Sequence, residues 1–116
     1  MAERLAEWLQ GLGRRVSLTH RDIEVPGWDA FRCPLSEDIR RISSEQVAAL
    51  ALSHRDEIAR CDTLFISCTN LLAMDQIERL ETELGVPVIT SNHATLWAAL
   101  MHMKVDATGL GGGRLF

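Results

Sequence analysis

The chain lacks any run of apolar residues that could cross a membrane. Its longest uncharged stretch, roughly residues 86–103, is interrupted by Thr90, Ser91, Asn92, His93, Thr95 and His102, whereas a spanning helix needs about 20 predominantly apolar residues. Basic residues are few and scattered: 12 Lys and Arg stand against 16 Asp and Glu, for a net charge of −4. Without a basic cluster, neither nucleic acid nor an anionic membrane is an expected partner. Cysteine is scarce as well. Cys33, Cys61 and Cys68 are odd in number and include no Cys-x-x-Cys pair, which argues against a disulfide framework or a zinc ribbon and for reduced thiols. Together with His20, His54, His93 and His102 they show no familiar ligand spacing, so no metal site is expected. The amino terminus, Met1 to Leu5, lacks the charged-then-apolar pattern of a signal peptide, and a cytoplasmic location is the expectation. Neither solenoid-length repeats nor low-complexity tracts are present. What remains is an ordinary globular mixture, 47% hydrophobic and 24% charged, in 116 residues that suit a single α/β domain with one core.

The order of the predicted elements specifies the fold class. Leu5, Trp8, Leu9 and Leu12 recur at helical spacing before Gly13, predicting a helix over residues 2–12. A short strand over residues 15–20 follows. Residues 21–42 give conflicting signals, with turns at Pro26-Gly27 and Cys33-Pro34 and with Trp28 and Phe31 lacking a clear period, and read as a flap or partner-contacting segment. Ile39 and Ile42, three apart, place one helix start near Ser36. A firmer start lies at Ser43, a capping serine three residues before Gln46; it opens a helix to about Arg60 with Val47, Leu50, Ala51 and Ile58 inward.

A buried-type strand over residues 63–67 then runs into the turn Cys68-Thr69-Asn70-Leu71 and a helix over about 73–84. That helix carries Met74, Ile77, Leu80 and Leu84 on its apolar stripe, with Glu78, Arg79, Glu81 and Glu83 expected in water, and Gly85 ends it. Residues 87–90 form the next strand, and Ser91-Asn92-His93 turns into a helix through Met103. Apolar almost all round, this last helix is expected to be buried in the domain or against a second one. The glycine-rich end, residues 106–116, invites a phosphate-loop reading but has no preceding strand and no following helix, so a flexible tail is expected. Alternating helices and strands predict a three-layer α/β fold, a small parallel sheet with flanking helices and right-handed crossovers. So narrow a sheet has edges to cover, a task for the tail or for a partner.

Two consecutive strands end in polar turns, Ser67-Cys68-Thr69-Asn70 and Thr90-Ser91-Asn92-His93. In a parallel sheet both emerge at the carboxyl edge, where open α/β sheets bind ligands. A thiol, several hydroxyls, two amides and the free N–H groups of helix starts would share that edge. Such a set suits a small carboxylate: N–H and hydroxyl donors hold the anion, and a thiol alternating with thiolate moves a proton or attacks carbon. A helix beginning just past Cys68 would favour its thiolate. Each residue also has a plainer reading. Cys68 is equally a small buried residue, as are Cys33 and Cys61. Thr69, Ser91 and Asn92 are helix-capping types. His93 fits a surface first-turn position, His102 the end of the last helix, and Trp97 the core.

Residues Leu64-Phe65-Ile66-Ser67-Cys68-Thr69-Asn70-Leu71, then Glu81-Thr82-Glu83-Leu84-Gly85-Val86-Pro87-Val88, then Ser91-Asn92 with Trp97 downstream, stand in a register that resembles the aspartate/glutamate racemase superfamily. Within it, the chain is most similar to the branch of maleate cis-trans isomerases, arylmalonate decarboxylases and ectoine-utilisation proteins. The resemblance implies one lobe of a two-lobe fold whose site lies between the lobes, with no metal, pyridoxal phosphate or other cofactor. Racemases and isomerases of this kind use one cysteine from each lobe, and decarboxylases keep only the second-lobe cysteine, which Cys68 matches. By the same resemblance Thr69 and the turn N–H groups would hold a substrate carboxylate, with Asn70 and Asn92 shaping the pocket; Ser91, in the second polar turn, is a further substrate-binding candidate. The implied function is cysteine-dependent isomerisation, racemisation or decarboxylation of small carboxylic acids; a catalytically inactive carboxylate-binding or interaction module of the same fold is the alternative. The chain has about the length of one lobe and no counterpart of the first-lobe cysteine. A missing first-lobe partner, or a homodimer that sets two copies of Cys68 across a cleft, is therefore the expected complement.

Overall fold

A computed structural model describes residues 24–116, and the chain divides into two units, residues 1–31 and 32–116. The predicted helix over residues 2–12 and strand over residues 15–20 lie outside the described residues. In the first unit, residues 24–31 have no regular secondary structure, and the Asp29 carboxylate accepts the Ala30 N–H at 2.7 Å.

The second unit opens with a single turn, α1 (Ser36–Ile39), and then the helix α2 (Ser44–Ser53). Ser43 and Gln46 form a reciprocal cap: Ser43 Oγ accepts the Gln46 N–H at 3.1 Å, and Gln46 Oε1 accepts the Ser43 N–H at 2.8 Å. Two donors that the first helical turn leaves without partners are thereby satisfied. Val47, Ala48 and Ala51 form the buried face of α2. The predicted helix to Arg60 is broken at His54, whose φ of −103° and ψ of 21° leave the helical region, and a separate turn, α3 (Arg55–Ile58), follows.

Strands β1 (Leu64–Ile66) and β2 (Val88–Thr90) pair in parallel, with Leu64 opposite Val88, Phe65 opposite Ile89 and Ile66 opposite Thr90. Between them a 3₁₀ turn (Met74–Gln76) leads into α4 (Ile77–Leu84). Ile77, Leu80 and Leu84, three and four residues apart, are the buried stripe of α4. Gly85 adopts φ +77° and donates its N–H to Glu81 O at 2.9 Å, which ends the helix. The core joins Ala48, Ala51, Ile58, Ile77, Leu80, Leu84, Val86 and Val88, with Leu64 and Ile66 of the sheet packed against it. Each fully buried Ile or Leu there contributes about 1.5–3 kcal/mol of transfer free energy. The expected α/β class, a small parallel sheet with flanking helices, is what the described residues form.

Several expectations are corrected. Phe65 alternates to the other side of β1 and is 52% exposed, so β1 is not buried on both faces. The last helix, α5 (Ser91–His102), is also not a core helix in this unit: Leu96, Trp97 (37% exposed) and Met101 lie on the surface, as does Met103 just beyond it. Its only buried residue is His93, which is 0% exposed rather than a surface side chain. Glu81, expected in water, is buried because it serves as an acceptor for backbone. Its Oε1 takes the Val88 N–H at 3.0 Å, and its two oxygens take the Arg114 N–H at 3.1 and 2.9 Å.

The Arg114 contact also corrects the flexible tail. Residues 106–116 end in a 3₁₀ turn (Gly113–Leu115) that packs on α4 and β2. The Gly112 N–H reaches Glu78 Oε1 at 3.2 Å, and Phe116 meets the His93 ring edge-on with centroids 4.7 Å apart. Three contacts from backbone N–H groups to carboxylate oxygens and one aromatic contact seat this segment where composition alone suggested a loose end.

Candidate functional site

The two strand ends stand level because of the parallel register, Ile66 against Thr90. Cys68 comes two residues after β1, partly buried and unpaired as a thiol. Its φ of +151° is unusual for a residue with a side chain. The Leu71 N–H closes the turn onto Cys68 O at 3.3 Å.

Neighbouring elements hold this turn at three further points. The Cys68 N–H donates to Ser91 Oγ at 3.2 Å, Asn92 Nδ2 donates to Thr69 O at 3.0 Å, and Asn70 Nδ2 donates to Ser36 O at 3.0 Å. Thr69 is exposed, and Asn70, Ser91 and Asn92 are partly buried. The structure thus brings Cys68, Thr69, Asn70, Ser91 and Asn92 together. It also redistributes the donors expected of the turn. The N–H groups of Cys68 and Leu71 are committed within the chain, whereas those of Thr69 and Asn70 meet no acceptor among the described residues.

The helix start that reaches Cys68 differs from the expected one. α4 begins only at Ile77, and the first turn of α5, beginning at Ser91, contacts the thiol-bearing residue instead. Thr90 caps that helix by accepting the His93 N–H at 3.1 Å. Behind this cap neither ring nitrogen of His93 has a hydrogen-bond partner among the described residues. Burial pushes the imidazole below its ordinary value of 6.5, and the charge of Glu81 and the Gly112 backbone pull it part of the way back.

One neighbour of the turn carried no sequence signal. Arg40, just after α1, lines an open depression of about 380 Å³ together with Asn70 and Leu72. Its distance along the chain from Asn70 hid it; the turn at residues 36–39 is what carries it there. Cys33 and Cys61 are free thiols elsewhere, and Cys61 Sγ contacts Glu57 O at 3.5 Å. Among the described residues no three His, Cys, Asp or Glu side chains gather as a metal-holding group, and no helix is long and apolar enough to cross a membrane.

The family model for arylmalonate decarboxylase matches residues 12–116. The chain belongs to the arylmalonate decarboxylase family. It is 32% identical over 81 residues to arylmalonate decarboxylase from Bordetella bronchiseptica, a match covering 69% of this chain and 34% of that protein. It is also 27% identical over 116 residues to maleate isomerase from Nocardia farcinica (strain IFM 10152), covering 99% of this chain and 42% of that one. Among solved structures, a mutant of arylmalonate decarboxylase in its sulfate-associated form superposes with a TM-score of 0.71 at 28% identity, over 99% of this chain and 46% of that chain. A crystal structure of arylmalonate decarboxylase gives 0.66 at 27% identity, again over 99% of this chain and 47% of that one. The chain therefore spans less than half the length of these family relatives, and its α/β fold corresponds to about half of theirs.

Proposed function

We propose that this chain is the second lobe of a cofactor-independent, cysteine-dependent enzyme of small carboxylic acids, of the maleate-isomerising or arylmalonate-decarboxylating kind. Cys68 is its reactive group. The observation that carries this reading is the position of Cys68: beyond the carboxyl end of a parallel strand, in a turn tied at Cys68, Thr69 and Asn70 to the first turn of α5 and to α1. Ligands of open parallel sheets collect at this edge. A substrate carboxylate would accept from the N–H groups of Thr69 and Asn70 and from the Thr69 hydroxyl, with Arg40 adding positive charge beside Asn70. With an arylmalonate, loss of CO2 would leave a carbanion-like carbon that takes the Cys68 proton, the thiol becoming thiolate; with maleate, the Cys68 thiolate would add to one alkene carbon as the π pair moves to the other, and its expulsion after bond rotation would restore the double bond and the thiolate. A facing lobe, either a separate first lobe or a second copy of this chain in a homodimer, closes the site on its open side; family relatives more than twice as long support that complement.

Turnover of maleate and of an arylmalonate by the full chain, alone and with a first lobe supplied, tests the assignment. Cys68→Ser is expected to lower either rate by at least about 10²-fold, the scale of losing a positioned proton-transfer group. Equal rates in mutant and parent would remove Cys68 from the chemistry. The short span relative to those proteins favours a second reading, a carboxylate-binding module that does no chemistry. Maleate binding without turnover, unchanged by Cys68→Ser, would establish it.

A further inference from the structure

We propose that Ser91 and Asn92 are positioning residues for Cys68. The inference rests on the reading of Cys68 as the reactive thiol. These two consecutive side chains on the first turn of α5 grip two consecutive residues of the turn with opposite polarity. Ser91 Oγ accepts the N–H that enters Cys68, and Asn92 Nδ2 donates to the carbonyl that leaves Thr69. Between these points lies the backbone of Cys68 at φ +151°, a conformation that persists only where its surroundings over-determine it.

The grip has a firm base. Thr90 accepts the His93 N–H, Thr95 Oγ1 donates to Ser91 O at 2.8 Å, and His93 is wholly buried behind them. Thr90 in turn is locked opposite Ile66 in the sheet. Sheet register thus sets where Ser91 and Asn92 stand, and they set where the thiol stands.

The test uses the full chain with Cys33→Ser and Cys61→Ser, leaving Cys68 as the sole thiol, and follows its alkylation by iodoacetamide as a function of pH. Ser91→Ala and Asn92→Ala are each expected to change the rate by about fivefold at fixed pH, the population shift that losing one ordinary hydrogen bond allows. Ser91→Thr, which keeps the acceptor oxygen, restores the parent profile. A merely structural role would lower the unfolding midpoint and leave the profile of the folded protein in place, so pH profiles of both alanine variants superimposable on the parent would overturn the proposal. Should Ser91→Ala fail to fold, Asn92→Ala reads the same grip from its other end. The alkylation readout is independent of turnover: a shifted profile with no Cys68-dependent activity upholds the positioning role and rejects the enzymatic one.

Discussion

Gly113→Ala tests whether the carboxyl-terminal segment is seated on the domain or merely drawn near it. Gly113 has φ +80°, and a Cβ built there would stand 2.6 Å from Ile77 Cγ2, 2.7 Å from Glu81 Oε2 and 2.8 Å from Glu81 Cδ. Neither neighbour can swing aside at little cost. Ile77 is fully buried in the core, and Glu81 Oε2 is held by the Arg114 N–H. Two effects therefore add: the left-handed backbone costs an alanine about 1–2 kcal/mol, and forcing a methyl into a filled site costs about 1–3 kcal/mol. Reduced freedom of the unfolded chain returns about 0.4–1 kcal/mol, for a net loss of about 1–5 kcal/mol. Gly85→Ala is the matched control, because its φ is +77° but nothing lies within 4 Å of the added Cβ. The backbone and unfolded-chain contributions are common to both variants, so their difference isolates the steric one. Urea unfolding followed by far-ultraviolet circular dichroism, with unchanged m, should place Gly113→Ala below Gly85→Ala by about 1–3 kcal/mol. Equal midpoints for the two variants would refute the seat of the tail on Ile77 and Glu81.

Other outcomes follow from single groups. His93 is held neutral by burial, so the unfolded chain takes up a proton first as pH falls; its contribution to stability is complete above 6.5 and is lost as pH drops from there toward the depressed folded-state value. His93→Phe should flatten the slope of urea midpoint against pH across that window, and an unchanged slope would show that the imidazole is not the group responsible. Asp75, lowered by the hydroxyl of Ser44 at 2.7 Å, acts in a separate window below its ordinary 3.8. Arg40→Ala should weaken maleate binding by about two- to fivefold in calorimetry, the scale of an exposed charge pair, with the difference fading in high salt; equal affinities at low salt would take Arg40 out of the site.

The local rules carried far in this chain, and their failures have a common origin. Ser43 and Gln46, three residues apart, announced the cap of α2, and Gly85 announced the end of α4, because each feature is completed within one helical turn. The strands shrank by a residue at one or both ends, from 63–67 to 64–66 and from 87–90 to 88–90, without losing their level carboxyl ends. That register brought the expected site residues together, although which donor each one spends depended on contacts between turns 23 residues apart. Glu81 looked like a solvated helix residue because its partners, Val88 and Arg114, lie seven and 33 residues away, and no periodicity encodes an acceptor serving two distant backbones.

His93 and the tail share that difficulty, since Phe116 meets the His93 ring from far along the chain and Glu78 and Glu81 hold the tail's backbone. The outer faces of β1 and α5 pose the reverse one. Phe65, Leu96, Trp97 and Met101 have the composition of buried positions yet stand exposed here. Apolar periodicity states that a face repays covering, at about 25 cal/mol for each Å² removed from water, but not which surface does the covering. Where that surface lies beyond the elements that carry the face, burial in the same unit is the wrong inference from a correct pattern.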